Sequence, residues 1–472
     1  MATAIESNGK TEVVAAPDQR ERRRREGKAL RSNCPRSSHG DVTLGQEERD
    51  PLALIEESNK GRQENLLPIR FTRMAESAFA FFRGTAIVQA HDLKGTPSSG
   101  IIVQCCGDCH LMNFGGFATP ERKLIFDIND FDETLPAPFE WDLKRLATSF
   151  VLAARWLAFS AGDARRAVEA LLAEYRTSQA QFARMSVLEI WYVQIAFDEI
   201  VKEAESDPTL LKRLRKTIEK ATTNTSEHVY HKITRMENGR PRIVDEPPLL
   251  YHPRPDEFSM EGDVIPFLKN YRASLAPERQ VLFDRYELVD AAYKVVGVGS
   301  VGTRCFIALF AGTQDDHLFL QIKEARPSVL EGLAGDSPYD NNGARVVIGQ
   351  RLMQSASDIF LGWSRGPQGD CYVRQMRDMK IAPDLARYTP RLLSEYARLC
   401  GRTLARAHAK AGDSAMIAGY LGKSTAFDEA VAKYAIAYAD QVEQDYESFK
   451  AATSTGRFPI ETIPSELEAA IR

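Results

Sequence analysis

The sequence predicts an α+β protein with a large helical lobe and a small antiparallel β lobe. Apolar residues recur at three- and four-residue steps through residues 141–160 and 163–220, and again through 391–411 and 426–451, which predicts long helices. After Tyr286 the pattern changes to short apolar runs separated by glycine and polar clusters, as is typical of antiparallel strands. A chain of 472 residues is long enough to form two packed units.

The order of these patterns divides the chain into segments. Residues 1–50 are polar and contain a run of arginines, so they are predicted to form a disordered basic arm. Residues 51–240 are predicted to form the first part of the large lobe. A proline-rich connection over residues 241–284 leads to the small β lobe at 285–380, and residues 381–472 complete the large lobe.

Composition excludes several classes of partner. The chain has 61 basic and 65 acidic side chains, and its net charge of −4 provides no global positive field, so we do not expect a nucleic-acid partner. No uninterrupted apolar run reaches the roughly 18 residues that cross a bilayer, so we expect no membrane partner. The seven cysteines lack the spacing of a disulfide framework, which favours a cytoplasmic location.

The first group of candidate site residues follows two short predicted strands. Asp108 and Asn113 lie five positions apart in the loop after the apolar run 101–104, and Asp130 follows a second apolar run. A carboxylate that orients a hydroxyl, together with oxygen ligands for Mg²⁺, is what phosphoryl transfer requires of a protein. Asp127 ends the second strand directly and is an alternative metal ligand. A turn rich in Asp and Asn is the competing interpretation.

The second group of candidate residues belongs to the small lobe. Gly297, Gly299 and Gly302 lie between two predicted strands, and Lys323 follows on the next strand. Glycines of a dinucleotide-binding fold open a helix, so this context favours a hairpin loop that covers phosphates, with a strand lysine that contacts them. A plain glycine hairpin is the alternative. Met376 ends a later strand that we predict to lie under the adenine ring.

Three linked motifs resemble the catalytic segment of aminoglycoside phosphotransferases and choline kinases. They are Gly107-Asp108-x-x-x-x-Asn113, Asp130-Phe131-Asp132 and Asp142-Leu143. The resemblance implies a two-lobed protein kinase-like fold that binds ATP and Mg²⁺. It makes Asp108 the catalytic base, Asn113 and Asp130 the metal ligands, and Asp142 the acid that braces the catalytic loop. The lysine of such folds pairs with a helix glutamate, for which Glu331 is the nearest candidate.

The order of the motifs differs from that of an ordinary kinase. Here the catalytic loop and the metal acid come first, and the glycine loop and the lysine come later. The helix that contains Arg402 to Ala409 resembles the one that normally precedes the catalytic loop. We therefore predict a circular permutation, which changes the connectivity and leaves the contacts intact.

From about residue 50 onward the sequence also resembles the uncharacterised bacterial family catalogued as domain of unknown function 2252. The resemblance is carried by Arg73-Met74, Phe81-Phe82-Arg83-Gly84, Gly107-Asp108-x-His110, Asn113-Phe114-Gly115, the acidic cluster 127–133 and Gly349-Gln350-Arg351. This resemblance implies one family over most of the chain and names no reaction.

The sequence as a whole predicts an ATP- and Mg²⁺-dependent phosphotransferase that acts on a small hydroxylated or amino substrate. The alternatives are a pseudokinase-like regulatory module that binds nucleotide without phosphotransfer, and an adenylyl transferase that uses the same site. An interaction protein that acts through its basic arm is a further hypothesis. Cys106 and Cys109 have CxxC spacing beside His110, but a zinc site needs a second ligand pair, and none appears in the sequence.

Overall fold

The computed structural model confirms a mixed α+β protein with small antiparallel sheets. It describes residues 5–7, 10–12, 19–42, 49–223, 226–254, 259–295, 299, 301–313, 316–376 and 379–461. The prediction for Gly297 lies outside the described residues.

Four long helices form the core of the helical part. They are α6 (Phe139–Trp156), α7 (Ala161–Phe182), α15 (Pro390–Ala411) and α17 (Ala426–Ser454), and α7 packs along α15 while α6 packs on α7 and α17. Local signals set where these helices begin. Ser160 and Asp163 form a capping box at the start of α7, and the side chain of Thr389 caps α15 before Pro390.

Shorter helices complete the helical part. They are α1 (Gln19–Ala29), α2 (Pro51–Asn59), α3 (Leu67–Ala75), α4 (Ala78–Gly84), α5 (Ala86–Lys94), α8 (Val187–Tyr192), α9 (Phe197–Glu203), α10 (Pro208–Thr223), α11 (Ser226–Ile233) and α16 (Ser414–Leu421). The helices predicted over 163–220 are four in number. α7 ends at Phe182, and Ser186 starts α8 with a second capping box, so α7, α8, α9 and α10 are separate helices.

Two two-stranded sheets hold the loops that carry the first motif group. β3 (Ile102–Cys105) pairs antiparallel with β6 (Leu135–Pro138), and β4 (Phe114–Ala118) pairs with β5 (Leu124–Ile128). The loop from β3 to β4 contains Asp108 and Asn113, and the loop from β5 to β6 contains Asp130. The two loops lie side by side, since the backbone N–H of Asn129 donates to the carbonyl oxygen of Asn113 over 2.7 Å.

A six-stranded antiparallel sheet forms the small lobe. In spatial order its strands are β13 (Gly362–Gly366), β14 (Gly369–Gln375), β12 (His317–Glu324), β11 (Cys305–Ala311), β10 (Glu287–Lys294) and β9 (Leu250–Tyr251). Alternate residues of β11 face different cores: Ala308 and Phe310 face one, and Ile307 and Leu309 face the other. The helix α14 (Asn342–Met353) connects β12 to β13 and packs on β13 and β14.

Two further hairpins are described. β1 (Ile5–Ser7) pairs with β2 (Lys10–Glu12), and β7 (Thr234–Glu237) pairs with β8 (Arg240–Ile243). The second confirms the hairpin predicted at Asn238-Gly239. These two residues have φ angles of 50° and 78°, the left-handed conformations that Asn and Gly adopt in such turns.

The segment 241–284 is more than the predicted connection. Its helices α12 (Ile265–Ser274) and α13 (Pro277–Phe283) pack against the six-stranded sheet, where Tyr271 and Phe283 join a core with strand residues such as Phe310. The Tyr271 hydroxyl donates to the carbonyl oxygen of Phe360 over 2.6 Å. The prediction missed these helices because proline clusters at the start of the segment dominate its composition.

The predicted disordered arm is wrong for residues 19–42. The helix α1 packs against α16, and a Cβ at Gly27 would lie 2.0 Å from the carbonyl oxygen of Met416. Arg23 pairs with Asp413, the N-cap of α16, over 2.5 Å. Arg31 and Arg36 donate to the last carbonyl oxygens of the same helix. Composition alone does not show that these arginines satisfy a distant helix end.

Among the described residues, no helix combines the length and the apolar character that crossing a membrane requires.

Candidate active site

The loop after β3 is held in place by Asp142 near the start of α6. The Asp142 carboxylate accepts hydrogen bonds from the backbone N–H groups of Cys106 at 2.8 Å and Gly107 at 3.1 Å. Gly107 has a φ of 82°, and a Cβ there would lie 2.1 Å from the carbonyl oxygen of Glu133. Only glycine fits this close approach of two loops. The local sequence therefore orients the next residue, Asp108.

Asp108 is held by an arginine that the sequence analysis missed. Oδ1 of Asp108 accepts a hydrogen bond from Nε of Arg145 over 2.6 Å, and Arg145 projects from α6 and is buried. Burial raises the pKa of the Asp108 carboxyl, although the Arg145 guanidinium opposes the shift. A raised pKa brings a carboxylate closer to the range in which it accepts a proton efficiently. The carboxamide nitrogen of Asn113 donates to the backbone carbonyl oxygen of Asp108 over 2.7 Å, so the Asn113 side chain braces the backbone of the loop at Asp108.

Lys323 reaches the acidic loop from the small lobe. Its Nζ lies 2.6 Å from Oδ2 of Asp132, and the hydroxyl of Tyr372 donates to Oδ1 of the same carboxylate over 2.6 Å. Burial works to raise the pKa of Asp132, but the Lys323 ammonium and the Tyr372 hydroxyl lower it to about 2. The acid and the amine are therefore both charged at neutral pH.

The predicted partner of Lys323 is wrong. Glu331 lies 3.6 Å from Arg345, and Asp132 takes the ion pair with the lysine instead. The sequence feature that could have indicated this partner is the second acid of Asp130-Phe131-Asp132.

Asp130 lies beside this ion pair. Its Oδ1 accepts a hydrogen bond from the backbone N–H of Asp132 over 3.2 Å. Burial and then the neighbouring Asp132 carboxylate raise the pKa of Asp130, while Lys323 and Arg374 oppose the shift. A pair of crowded carboxylates of this kind is stabilised by a bound cation.

Asp127 lies outside this arrangement, so the structure contradicts its alternative assignment as a metal ligand. It is fully buried, and its Oδ1 accepts from Nη2 of Arg406 over 2.5 Å. Its Oδ2 accepts from the backbone N–H and the hydroxyl of Ser355, each over 2.8 Å. With these partners Asp127 links β5 to α15 and to Ser355, which follows the end of α14, and Asp127 does not line the cleft that holds Asp130. Its place at the end of a buried strand explains both its burial and its prominence in the sequence.

The glycine loop between β10 and β11 is attached to the helical part. The carbonyl oxygen of Gly299 accepts from Arg70 over 2.9 Å, and that of Val301 accepts from Arg62 over 2.7 Å. The carbonyl oxygen of Gly302 accepts from the backbone N–H of Gln63 over 2.8 Å, and the φ of Gly302 is 85°. These bonds draw the loop toward the residues around Asp108.

One cleft of about 500 Å³ collects most of the predicted site residues. Those that line it are Asp108, Asn113, Asp130, Gly299, Lys323 and Met376. Gly302, Asp127, Asp142 and Glu331 do not line it, although Asp142 supports its loop. A second cavity, of about 610 Å³, lies between α2 and α5 and contains none of the predicted residues.

The CxxC pair does not form a convincing zinc site. Cys106 and Cys109 lie close to Asp142, with ligand atoms within 4.8 Å of one another. Burial raises the pKa of the Cys106 thiol well above its usual range and that of Cys109 to about 12. Structural zinc sites have four protein ligands, and among the described residues this cluster offers three. The Asp142 carboxylate is already engaged by the loop N–H groups.

Comparison with known proteins defines the family of the chain. No curated protein and no solved structure matches it. One family model does match, over residues 62–452, and its description is "Uncharacterized protein conserved in bacteria (DUF2252)". The match begins at Arg62, which donates to the glycine loop, and ends within α17, so it covers the residues that line the cleft except Ser58. The chain belongs to the DUF2252 family.

Proposed function

We propose that this protein is an ATP- and Mg²⁺-dependent phosphotransferase with a circularly permuted, protein kinase-like fold. One observation carries the proposal: Lys323 lies 2.6 Å from Asp132, 191 positions away in the chain, in a cleft that Asp108, Asn113 and Asp130 also line. A phosphate-contacting lysine, a metal acid and a carboxylate for the acceptor are the parts that phosphoryl transfer requires.

The connectivity of the small lobe supports the kinase-like interpretation. The glycine loop joins β10 to β11, and Lys323 lies on the next strand, β12. A helix, α14, then precedes two more strands, and Met376 follows the last of them. Protein kinases place a glycine loop, a lysine on the third strand and a helix in this order.

The end of α15 supports the proposed permutation. Gly412, one residue beyond this helix, lies against β3, since a Cβ there would be 2.5 Å from Cγ1 of Val103. β3 leads directly into the loop that holds Asp108. A chain that continued from α15 into β3 would have the ordinary kinase order, and it would require little change in the contacts.

The residues of the cleft fit a Mg²⁺ ion bound with nucleotide. Asp130 supplies a carboxylate crowded by Asp132, and Asn113 uses its nitrogen to brace Asp108, which leaves its Oδ1 for a cation. Oxygen ligands of this type are those that Mg²⁺ prefers, and the ion would neutralise phosphate charge.

In the proposed reaction Asp108 orients the acceptor hydroxyl or amine and takes its proton. The acceptor oxygen or nitrogen forms a bond to the γ-phosphorus of ATP, and the bond from that phosphorus to the β,γ-bridging oxygen breaks, so ADP leaves. Lys323 contacts the phosphates of the nucleotide. Met376 lies at the position that we assign to the adenine side of the cleft.

A nucleotide-binding regulatory module is the second candidate. This candidate is favoured because the side chains of Asp108 and Lys323 both have ionic partners in the structure. Arg145 binds Asp108, and Asp132 binds Lys323. An adenylyl transferase would use the same residues on a different phosphorus atom. The products distinguish these possibilities: ADP indicates phosphoryl transfer, pyrophosphate indicates adenylylation, and no product indicates a sensor.

Nucleotide binding is expected to raise the thermal stability of the protein in a Mg²⁺-dependent way. A ligand that binds only the native state adds about 2.7 kcal/mol at a concentration of 100 times its Kd. The measurement is a thermal-shift panel of ATP, GTP, ADP and AMP, each with Mg²⁺ or with EDTA. We expect the largest shift with ATP and Mg²⁺. If no nucleotide shifts the midpoint, both candidates fail.

A further inference from the structure

The cleft carries more positive than negative charge. Seven basic side chains and four carboxylates line its described part. The basic residues are Arg62, Arg70, Arg83, Lys294, Lys323, Arg374 and Lys380. The carboxylates are Asp108, Asp130, Asp132 and Glu133. A polar cleft with this balance attracts anions.

The basic residues come from two sides of the cleft. Lys294, Lys323 and Arg374 belong to the sheet lobe, on the side that the proposed function assigns to the nucleotide. Arg70 and Arg83 come from α3 and α4 of the helical part. The second side is the side of Asp108, the residue that would orient the acceptor.

Arg83 and Arg70 both act electrostatically on Asp108. Burial raises the pKa of the Asp108 carboxyl, the guanidinium groups of Arg145 and Arg83 oppose that rise, and the Asp132 carboxylate adds to it. Burial lowers the pKa of Arg70 well below its usual value, and the neighbouring Arg62 lowers it further, while Asp108 opposes the shift. Arg70 and Arg83 are therefore both close enough to Asp108 to interact with its charge.

Arg62, which also lines the cleft, lies near another positive charge, that of Arg326. The Arg62 side chain donates to the neutral carbonyl oxygens of Ser58 and Val301, at 3.0 and 2.7 Å. Burial and then Arg326 lower the pKa of its guanidinium to about 10. An anion that enters beside these arginines would relieve both the burial cost and the mutual repulsion.

His110 provides a separate indication of a ligand. Its side chain lines the cleft and is only 4% exposed, and its Nδ1 has no hydrogen-bond partner among the described residues. Its Nε2 lies 3.8 Å from Oδ2 of Asp108. Burial, followed by Arg83 and Arg145, holds the pKa of His110 well below its usual range, so the ring is neutral. A buried polar atom without a partner costs free energy, which a bound polar group would recover.

From this geometry, and resting on the proposed phosphotransferase activity, we infer that the acceptor is itself anionic. Arg83, with Arg70 and His110, forms a subsite for a phosphate or carboxylate group of the acceptor beside Asp108. The substrate class is then a small hydroxylated or amino compound that already carries a negative group. Arginine suits this role because its planar fork binds such oxygens in pairs.

The test is binding of inorganic phosphate and of acetate to the full chain whose nucleotide site is filled by Mg²⁺ and β,γ-imido-ATP. The analogue occupies the γ-phosphate position, so an added anion reports on the second subsite. Thermal midpoints are followed against anion concentration, with sodium chloride at matched ionic strength as the blank. We expect phosphate or acetate to raise the midpoint of the wild type, and the stronger of the two identifies the acceptor group.

Arg83→Gln is expected to weaken the anion affinity by about tenfold or more, since a charge-assisted hydrogen bond is worth more than about 1.4 kcal/mol. Arg83→Lys keeps the charge and is expected to fall between this variant and the wild type. The matched control is Arg165→Gln, which removes an exposed arginine of α7 and is expected to behave as wild type. If Arg83→Gln fails to fold, Arg83→Lys provides the comparison.

The outcomes separate this inference from the proposed function. A shift with the nucleotide analogue but none with either anion overturns the anionic subsite and leaves the phosphotransferase proposal standing. Equal anion affinity in wild type and the Arg83 variants also overturns the subsite. No shift with the analogue overturns both.

Discussion

Replacement of Asp108 by asparagine is expected to reduce ADP formation by about 10²–10⁴-fold while ATP affinity stays close to that of the wild type. The amide oxygen of asparagine can still accept the hydrogen bond that Arg145 donates to Oδ1 of Asp108 over 2.6 Å, so the loop is expected to keep its shape. The amide cannot take a proton from the acceptor. Loss of turnover without loss of binding is therefore the signature of a base.

The measurement is a coupled assay of ADP release, with water or an added acceptor, beside a titration of ATP. Asp108→Ala serves as a harsher variant, because it leaves Arg145 buried without its carboxylate. Asp198→Asn, which changes an acid on α9, is the matched control and is expected to turn over normally. Undiminished ADP release by Asp108→Asn would contradict the assignment and would favour a regulatory module or a different base.

Replacement of Asp127 by alanine is expected to lower the free energy of unfolding by about 3–5 kcal/mol. Asp127 and Arg406 are 0% and 1% exposed and lie 2.5 Å apart, so the change leaves a buried guanidinium without its anion. It also removes the acceptor of two hydrogen bonds from Ser355. The variant is expected to lose stability equally with and without Mg²⁺, because Asp127 is not a ligand of the metal.

Urea unfolding of this variant is compared with that of Asp440→Ala. Asp440 forms an exposed ion pair with Arg155 at 2.6 Å, and such pairs contribute about 0–1 kcal/mol. A stability loss for Asp127→Ala no larger than that for Asp440→Ala would refute a structural role. A difference in unfolding free energy between the wild type and Asp127→Ala that depends on Mg²⁺ would instead indicate that Asp127 is a metal ligand.

Much of the candidate site is predictable because its motifs are local. The five-residue step from Asp108 to Asn113 and the position of Asp130 after a strand are visible in the sequence, and in the structure all three line one cleft. Gly299 and Lys323 also line this cleft, and their places between and on strands are visible in the sequence, whereas Gly302 does not line it and Gly297 lies outside the described residues. Period-2 and period-3.6 patterns predict the long helices and most of the small sheet for the same reason.

The partners of these residues are not predictable from one sequence. Arg145 holds Asp108 from 37 positions away, and Asp132 holds Lys323 from 191 positions away. Nothing in local composition selects these partners, since tertiary packing decides which charges are buried together. The same limit explains Asp127, which looks like a ligand but pairs with Arg406, 279 positions away. It also explains the segment 19–42, in which Arg23 pairs with Asp413 at the start of α16 and Arg31 donates to a carbonyl oxygen at the end of that helix.

Binding of Mg²⁺ and ATP between the acidic loop and Lys323 is measured by isothermal titration calorimetry. ATP is titrated into the wild type with Mg²⁺ and with EDTA, and into Lys323→Met, with the exposed Lys269→Met as the matched control. We expect binding that requires Mg²⁺, a weakening of about tenfold or more in Lys323→Met, and wild-type affinity in the control. Absence of ATP binding by the wild type, or unchanged affinity in Lys323→Met, would contradict the proposed nucleotide site.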